Sequence, residues 1–187
     1  MTCIVGVETP DGVLLGGDSA GISGWVRTHR ADPKVFAHGA GYVIGFTTSF
    51  RMGQLIRYAD LPKPLDRQGD DLDRFMATEF VDAVRQVLKD GGWAARDKDR
   101  EDAGTFLAGV NGRLYKVADD YQAGRSLDGY DAAGCGWELA LGSLHTTASL
   151  TVPPVERVGL ALGAAAHHSA AVHPPFTVVL GAWGGDR

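Results

Sequence analysis

The chain has 187 residues, of which 44% are hydrophobic, so it is long enough to bury the core of a single domain spanning residues 1–187. Its net charge of −5, without any lysine or arginine block, argues against nucleic acid or an anionic membrane as the main partner. No apolar run approaches the ~20 residues of a membrane span, and no signal peptide is visible. The two cysteines form neither a disulfide framework nor a zinc pattern, so a cytoplasmic location is expected.

The first fifty residues are predicted to form strands joined by tight turns, because β-branched runs alternate with glycine-rich breaks. One turn is predicted at 9–12, another at 21–24 and a third at 39–41. The predicted strands are, in chain order, 3–8, 13–19, 25–29, 34–37 and 42–47.

After residue 48 the apolar spacing becomes helical, and strands then resume. Helices are predicted over 49–60, 72–88, 137–145 and 154–170. Strands are predicted over 105–110, 113–118 and 176–183, with 121–135 extended or irregular and 93–102 a charged surface loop. Strands in blocks, rather than in alternation with helices, favour antiparallel sheets with helices grouped on their outer faces.

Thr2 directly follows the initiator Met1. Methionine is generally removed before a small residue, and its removal would give Thr2 both a hydroxyl and a free α-amine. An N-terminal amine has an ordinary pKa of about 7.7–8.0, so it can act as a base near neutrality. Thr2 is therefore a candidate nucleophile that carries its own general base. The alternative is an ordinary chain start, since many chains begin Met-Thr.

Asp18 is predicted to lie beside Thr2. If Glu8 faces Gly12 across the first turn, Thr2 lies opposite Asp18 with Cβ atoms about 5 Å apart. A slip of one residue would turn Asp18 to the other face. The alternative role for Asp18 is to cap the turn that follows it.

Lys34 follows a proline and opens a short apolar strand. An ammonium near Thr2 would lower the pKa of the hydroxyl and help to keep the α-amine neutral. The alternative is a solvated surface lysine.

Three segments together resemble the N-terminal half of catalytic proteasome β subunits and of the bacterial HslV peptidase. In that family a threonine, an aspartate sixteen residues later and a lysine sixteen residues after that form the active site, and Thr2, Asp18 and Lys34 have this spacing. The resemblance implies an α+β fold of the N-terminal nucleophile (Ntn) hydrolase type, a four-layer αββα sandwich of two antiparallel sheets flanked by helices. The matching segments are 2–7, 12–19 and 34–36.

The same resemblance assigns two further site residues. Thr48 stands where the family has a glycine whose backbone N–H stabilises the oxyanion, a role that any main-chain donor can fill. Cys135, between two glycines, stands where the family has a serine near the nucleophile, and a thiol is a weaker donor than a hydroxyl. The alternatives are a helix N-cap for the Thr48 segment and a small buried apolar residue for Cys135.

The segment 166–171 departs from the family, which has an aspartate and a nearby serine there. His168 falls roughly at the aspartate position, and Ser169 is a candidate for the serine. A metal site among His167, His168 and His173 is not expected, because adjacent helical histidines diverge and no acidic or cysteine ligand is near. No cofactor is expected, and the glycine-rich segment 12–24 is a hairpin rather than a phosphate-binding loop.

By resemblance, the leading hypothesis is a threonine-type endopeptidase that acts on peptides or unfolded proteins inside a homo-oligomeric double ring. No propeptide beyond Met1 is expected, as in HslV. The sequence leaves open whether the protein has an ATPase unfoldase as a partner. Two alternatives also stay open, a small-molecule amidase or acylase of the same fold and a non-catalytic ring-forming relative.

Overall fold

The structure is a computed structural model that describes residues 1–97 and 100–182. The described strands are β1 Cys3–Thr9, β2 Gly12–Gly17, β3 Ala20–Ser23, β4 Val26–His29, β5 Val35–His38, β6 Tyr42–Phe46, β7 Ala95–Asp97, β8 Arg100–Asp102, β9 Phe106–Val110, β10 Arg113–Val117, β11 Ala123–Gly124, β12 Tyr130–Gly134 and β13 Thr177–Ala182. The described helices are α1 Phe50–Arg57, α2 Gly69–Phe75, α3 Val81–Asp90, α4 Trp137–Ala148 and α5 Pro154–His168. A π-helical turn, Met76–Phe80, joins α2 to α3.

The strands form two main sheets with antiparallel pairing. One has four strands in the order β12-β1-β2-β13, and the other has five in the order β11-β10-β9-β6-β5. Two hairpins, β3–β4 and β7–β8, form small sheets of their own. Every pairing resolved between these strands is antiparallel, as the block order of strands and helices predicts.

Buried apolar side chains gather in three clusters that follow the sheets. One joins the four-stranded sheet to α4 and α5, and it includes Val5, Leu144 and Leu162. A second contains residues of both sheets, such as Ile4 and Leu107. The third joins the five-stranded sheet to the helices between residues 50 and 90. The first two clusters hold both faces of β1, and hence the start of the chain, in buried surroundings.

The predicted helices are present with small shifts in their ends. Ser49 caps α1, since its side chain accepts a hydrogen bond from the Arg51 N–H at 3.0 Å. The predicted helix over 72–88 lies within a helical run that extends from Gly69 to Asp90. Pro154 occupies the first turn of α5, where its missing N–H costs no hydrogen bond.

Three sequence-based predictions were wrong or fall outside the described residues. The segment 21–24 is not a turn, because most of it belongs to β3, which turns at 24–25 into β4. The segment 93–102 is not only a loop, because Ala95–Asp97 pairs with Arg100–Asp102. The predicted last strand is observed to Ala182, and its final residue, Trp183, lies outside the described residues.

The predicted register of the first hairpin was wrong by one residue. Thr9 pairs with Gly12 and Ile4 with Gly17, so the turn contains two residues instead of three. The Thr9 hydroxyl closes this turn by donating to the Gly12 carbonyl at 2.9 Å. Gly12 has φ +136°, a conformation that few other residues adopt, which permits the tight connection.

In the described part of the chain no helix is both long and apolar enough to cross a membrane.

Candidate active site

Thr2 lies at the entry to β1 with only 5% of its surface exposed. Its hydroxyl donates a hydrogen bond of 2.5 Å to the Met1 carbonyl. Its own carbonyl lies against Gly134 at the end of β12, where a Cβ would come within 2.2 Å of the Thr2 oxygen. Gly134 also has φ +93°, so both the space and the backbone conformation require glycine beside Thr2.

Asp18 follows the last residue of β2, and its carboxylate is enclosed by donors. Oδ1 accepts from the Cys3 N–H at 3.0 Å and from Lys34 Nζ at 2.9 Å. Oδ2 accepts from the Ala20 N–H at 3.1 Å and from the His173 N–H at 3.4 Å. The Asp18 carboxylate therefore caps the turn that follows it, which was the alternative role predicted for it. It also binds the N–H of Cys3, the residue after Thr2.

The corrected register explains how Asp18 reaches this position. The Asp18 N–H donates to the Cys3 carbonyl at 3.3 Å, so Asp18 lies opposite Cys3 rather than opposite Thr2. The predicted pairing of Asp18 with Thr2 was therefore wrong by one residue, and the Asp18 carboxylate contacts the N–H of Cys3, the residue that follows Thr2. That Asp18 acts together with Thr2 stays a prediction.

Lys34 is a buried cation, only 1% exposed, and not a solvated surface lysine. Its ammonium forms an ion pair with Asp18 at 2.9 Å and also donates to the Met1 carbonyl at 3.3 Å. Burial lowers the pKa of Lys34, and the charge of Asp18 partly opposes this shift. Lys34 thus joins the buried carboxylate to the same carbonyl that the Thr2 hydroxyl contacts.

Cys135 contacts the main chain of Thr2 from the turn between β12 and α4. The Thr2 N–H donates to Cys135 Sγ at 3.2 Å, and the thiol donates back to the Thr2 carbonyl at 3.3 Å. Cys135 is exposed, which contradicts the interpretation of it as a small buried residue. Cys3 is the buried cysteine, and burial, followed by the charge of Asp18, raises the pKa of its thiol to about 12.

Thr48 precedes α1 in a strained conformation with φ +63°, which is unusual for a β-branched residue. Ser49, rather than Thr48, is the N-cap of the helix. The neighbouring Thr47 donates to the Thr105 carbonyl at 2.6 Å through its hydroxyl and at 3.1 Å through its N–H. Within the described residues the Thr48 N–H has no hydrogen-bond acceptor, so this donor is available to a ligand.

A cleft of about 930 Å³ opens beside Met1 and Cys135. His168 and Ser169 lie on its wall, and no hydrogen bond within the described residues links either of them to Thr2, Asp18 or Lys34. No group of three or more histidine, cysteine, aspartate or glutamate side chains among the residues described is arranged to hold a metal ion.

Sequence reasoning missed the contact of His173 with Asp18. The His173 N–H reaches the carboxylate, and its carbonyl accepts from the Ser19 N–H at 3.2 Å. Both are main-chain contacts, so no residue type marks them in the sequence. The positive φ of Gly134 was missed as well, although a glycine directly before Cys135 was a visible clue to it.

Taken together, the site holds a hydroxyl, a position that becomes an α-amine if Met1 is removed, and a buried ammonium–carboxylate pair. Such a set can support nucleophilic attack by the hydroxyl on a carbonyl carbon.

The architecture is shared with several solved structures. BPH from Thiobacillus denitrificans, a bacterial proteasome homologue, is 18% identical over 98% of this chain and 100% of BPH, with a TM-score of 0.78. BPH in complex with epoxomicin matches with a TM-score of 0.77. HslV from Trypanosoma brucei is 16% identical over 95% of this chain and 97% of that chain, with a TM-score of 0.65.

The chain has a proteasome-like fold. An Anbu (Gly-1) mutant from Hyphomicrobium sp. strain MC1 shares it as well, with 14% identity, a TM-score of 0.68 and coverage of 100% of this chain and 85% of Anbu. No protein-family model and no curated protein matches the sequence. The resemblance inferred from the sequence is therefore confirmed at the level of the fold. The proteasome-like fold does not by itself determine the reaction, which must be argued from the site.

Proposed function

We propose that this protein is a threonine-type endopeptidase whose nucleophile is Thr2 after removal of Met1. The observation that carries the proposal is the buried Asp18–Lys34 pair, whose ammonium shares the Met1 carbonyl with the Thr2 hydroxyl. A buried ion pair is costly to desolvate, so its position beside a hydroxyl and a chain terminus favours a chemical role over a stabilising one.

In the proposed reaction the Thr2 oxygen attacks the carbonyl carbon of a peptide bond. The free amine of Thr2 takes the hydroxyl proton through a water molecule and later delivers it to the leaving amine. This step forms an ester between Thr2 and the acyl part of the substrate. Water then hydrolyses the ester, which releases the acid and restores the hydroxyl.

The remaining residues are assigned supporting roles. The Lys34 ammonium lowers the pKa of the Thr2 hydroxyl and disfavours protonation of the neighbouring amine, while Asp18 holds Lys34 in place. The free N–H of Thr48 stabilises the oxyanion. Cys135, 3.2 Å from the Thr2 nitrogen, orients the amine.

We further propose that the chain is one domain with the four-layer αββα arrangement of Ntn hydrolases. The three apolar clusters support this arrangement, since one lies between the sheets and one lies on the outer side of each. By analogy with its proteasome-like neighbours, the protein would assemble into homo-oligomeric rings in the cytoplasm and act on peptides or unfolded proteins.

Hydrolysis of fluorogenic peptides tests this proposal. Wild-type protein should release the fluorophore, Thr2→Ser should retain part of the rate because it keeps a hydroxyl, and Thr2→Ala should show none above background. Alanine is also small, so Met1 removal is preserved in the control. Equal rates for wild type and Thr2→Ala would contradict the proposal, and analytical ultracentrifugation of the same samples reports the ring.

A second candidate, a non-catalytic ring-forming relative, is favoured by one observation. The segment 166–173 brings histidines rather than an aspartate to the cleft beside Thr2. This candidate predicts a ring in which Met1 is retained and neither wild type nor Thr2→Ser hydrolyses any peptide.

A further inference from the structure

Among the described residues, the walls of the cleft beside Met1 carry hydrogen-bond donors and no acidic side chain. We call this 930 Å³ space the donor cleft and define its polar wall as Arg27, His168, Ser169 and His173, whose ring accepts from Arg27. Its other lining side chains are apolar or aromatic, apart from the thiol of Cys135; they include Ile22, Trp25 and Leu139. Within the described lining, the cleft offers one cationic side chain, the N–H and O–H groups of His168 and Ser169, and no carboxylate to repel an anion.

Arg27 is the charged group of this cleft, and much of its donor capacity is unused. It lies on β4, is exposed, and its Nη1 approaches His173 at 2.9 Å from Nδ1 and 2.8 Å from Nε2. Among the described residues no carboxylate forms an ion pair with Arg27, although Arg30 on the same hairpin is paired with Asp32 at 2.7 Å. Within the described part of the chain the other guanidinium N–H groups of Arg27 have no hydrogen-bond acceptor, which leaves them to a bidentate partner.

The donor cleft is connected to the reactive end of the chain at two points. Met1 and Cys135 both line it, and both contact Thr2 directly. The His173 N–H also donates to the Asp18 carboxylate. Arg27 therefore contacts a residue that is itself hydrogen-bonded to Asp18. A molecule in this cleft would lie next to Thr2, and loss of Met1 would enlarge the space on that side.

We propose that the donor cleft is a substrate subsite that binds a peptide carboxylate, with Arg27 as its specificity-determining residue. This inference rests on the proposed peptidase function and names a preference that the fold does not supply. The carboxylate can belong to an aspartate or glutamate side chain or to a peptide C-terminus, because both present the same pair of oxygens to the guanidinium. The apolar residues of the cleft would contact the rest of the bound segment.

Binding to a variant that cannot turn over separates this proposal from the proposed function. Fluorescence anisotropy would compare three dye-labelled peptides on the Thr2→Ala background: an end-capped peptide containing glutamate, the same peptide with glutamine, and the glutamine peptide with a free C-terminus. At least one carboxylate peptide should bind about tenfold more tightly than the capped glutamine peptide. Arg27→Gln should abolish the difference, and Arg27→Lys should restore part of it.

Arg51→Gln is the matched control, because Arg51 is also exposed but lines a separate cavity of about 570 Å³. Tighter binding of the glutamate peptide would show that the cleft binds a side-chain carboxylate. Tighter binding of the peptide with a free C-terminus would show that it binds a terminal carboxylate. Equal affinities for all three peptides, or a preference that survives Arg27→Gln, would overturn the proposal. If the preference depends on Arg27 but wild-type protein cleaves no peptide, the subsite stands and the proposed peptidase function fails.

Discussion

Replacing Asp18 by asparagine should destabilise the protein strongly, because the change leaves the buried Lys34 ammonium without its counter-ion. Oδ1 of Asp18 accepts from Cys3 and Lys34, and Oδ2 accepts from Ala20 and His173. An asparagine amide must turn its NH2 group toward one of these pairs of donors, whichever way it is oriented. The variant therefore loses the negative charge that pairs with Lys34. It also places its own NH2 group against another hydrogen-bond donor.

The expected cost follows from the burial of the pair. Asp18 and Lys34 are 2% and 1% exposed, and breaking such a pair from one side costs about 3–5 kcal/mol. For a chain of this size that corresponds to a fall in Tm of about 10 °C. Asp32→Asn is the matched control, because its ion pair with Arg30 is one-third or more exposed and should cost about 0–1 kcal/mol.

Urea unfolding followed by circular dichroism measures both variants. The double variant Asp18→Asn/Lys34→Met should recover part of the lost stability, because it removes the unpaired ammonium, but it should not recover peptide hydrolysis. If Asp18→Asn costs no more than Asp32→Asn, the description of the pair as a buried, mutually dependent unit is wrong.

Three further predictions follow from the site. Thr48→Gly should raise the free energy of unfolding by about 1 kcal/mol in urea titrations, because glycine adopts φ +63° without strain, and it should keep the backbone donor and hence activity. The pH profile of kcat/KM should fall on the alkaline side below 10.5, because burial lowers the pKa of Lys34 and the proposed mechanism needs its charged form, which is lost as the pH rises. Iodoacetamide should alkylate Cys135, which is exposed, and not Cys3, which is buried with a pKa of about 12, and the adduct next to Thr2 should stop hydrolysis.

Different results would contradict each of these predictions. A destabilised Thr48→Gly variant would mean that the threonine side chain contributes more than its strained backbone costs. If kcat/KM falls only at or above pH 10.5, Lys34 is not the group whose titration limits activity. Circular dichroism of Thr2→Ala over the same pH range is the control for alkaline unfolding. Full activity after alkylation of Cys135 would show that its thiol does not adjoin the reacting amine, and Cys135→Ser provides the unreactive control.

The sequence was most informative where chemistry constrains residue type and spacing together. Thr2, Asp18 and Lys34 follow one another at intervals of sixteen residues, and the structure pairs Asp18 with Lys34, whose ammonium also contacts the carbonyl of Met1, the residue preceding Thr2. The helices were also predictable, because their apolar spacing is regular over several turns. The antiparallel pairing followed from the block order of strands and helices.

Details that depend on backbone geometry could not be obtained in this way. The first hairpin was placed one residue out of register, because turns of two and of three residues fit the same sequence, and the observed pairing of Thr9 with Gly12 shows the shorter turn, Pro10–Asp11. The enclosure of Asp18 by main-chain N–H groups leaves no trace in residue types. Arg27 was not recognised either, since its position on the cleft wall depends on how the β3–β4 hairpin lies against His173.

The most direct test of the central claim is intact-mass spectrometry of the purified protein before and after treatment with epoxomicin, a peptide epoxyketone. Such a reagent closes a ring with both the hydroxyl and the free amine of an N-terminal threonine, so it reports both groups in one product. We predict a starting mass without Met1 and one adduct per chain, mapped to Thr2 and absent from Thr2→Ala. Retention of Met1 with no adduct would contradict the claim that Thr2 is an N-terminal nucleophile.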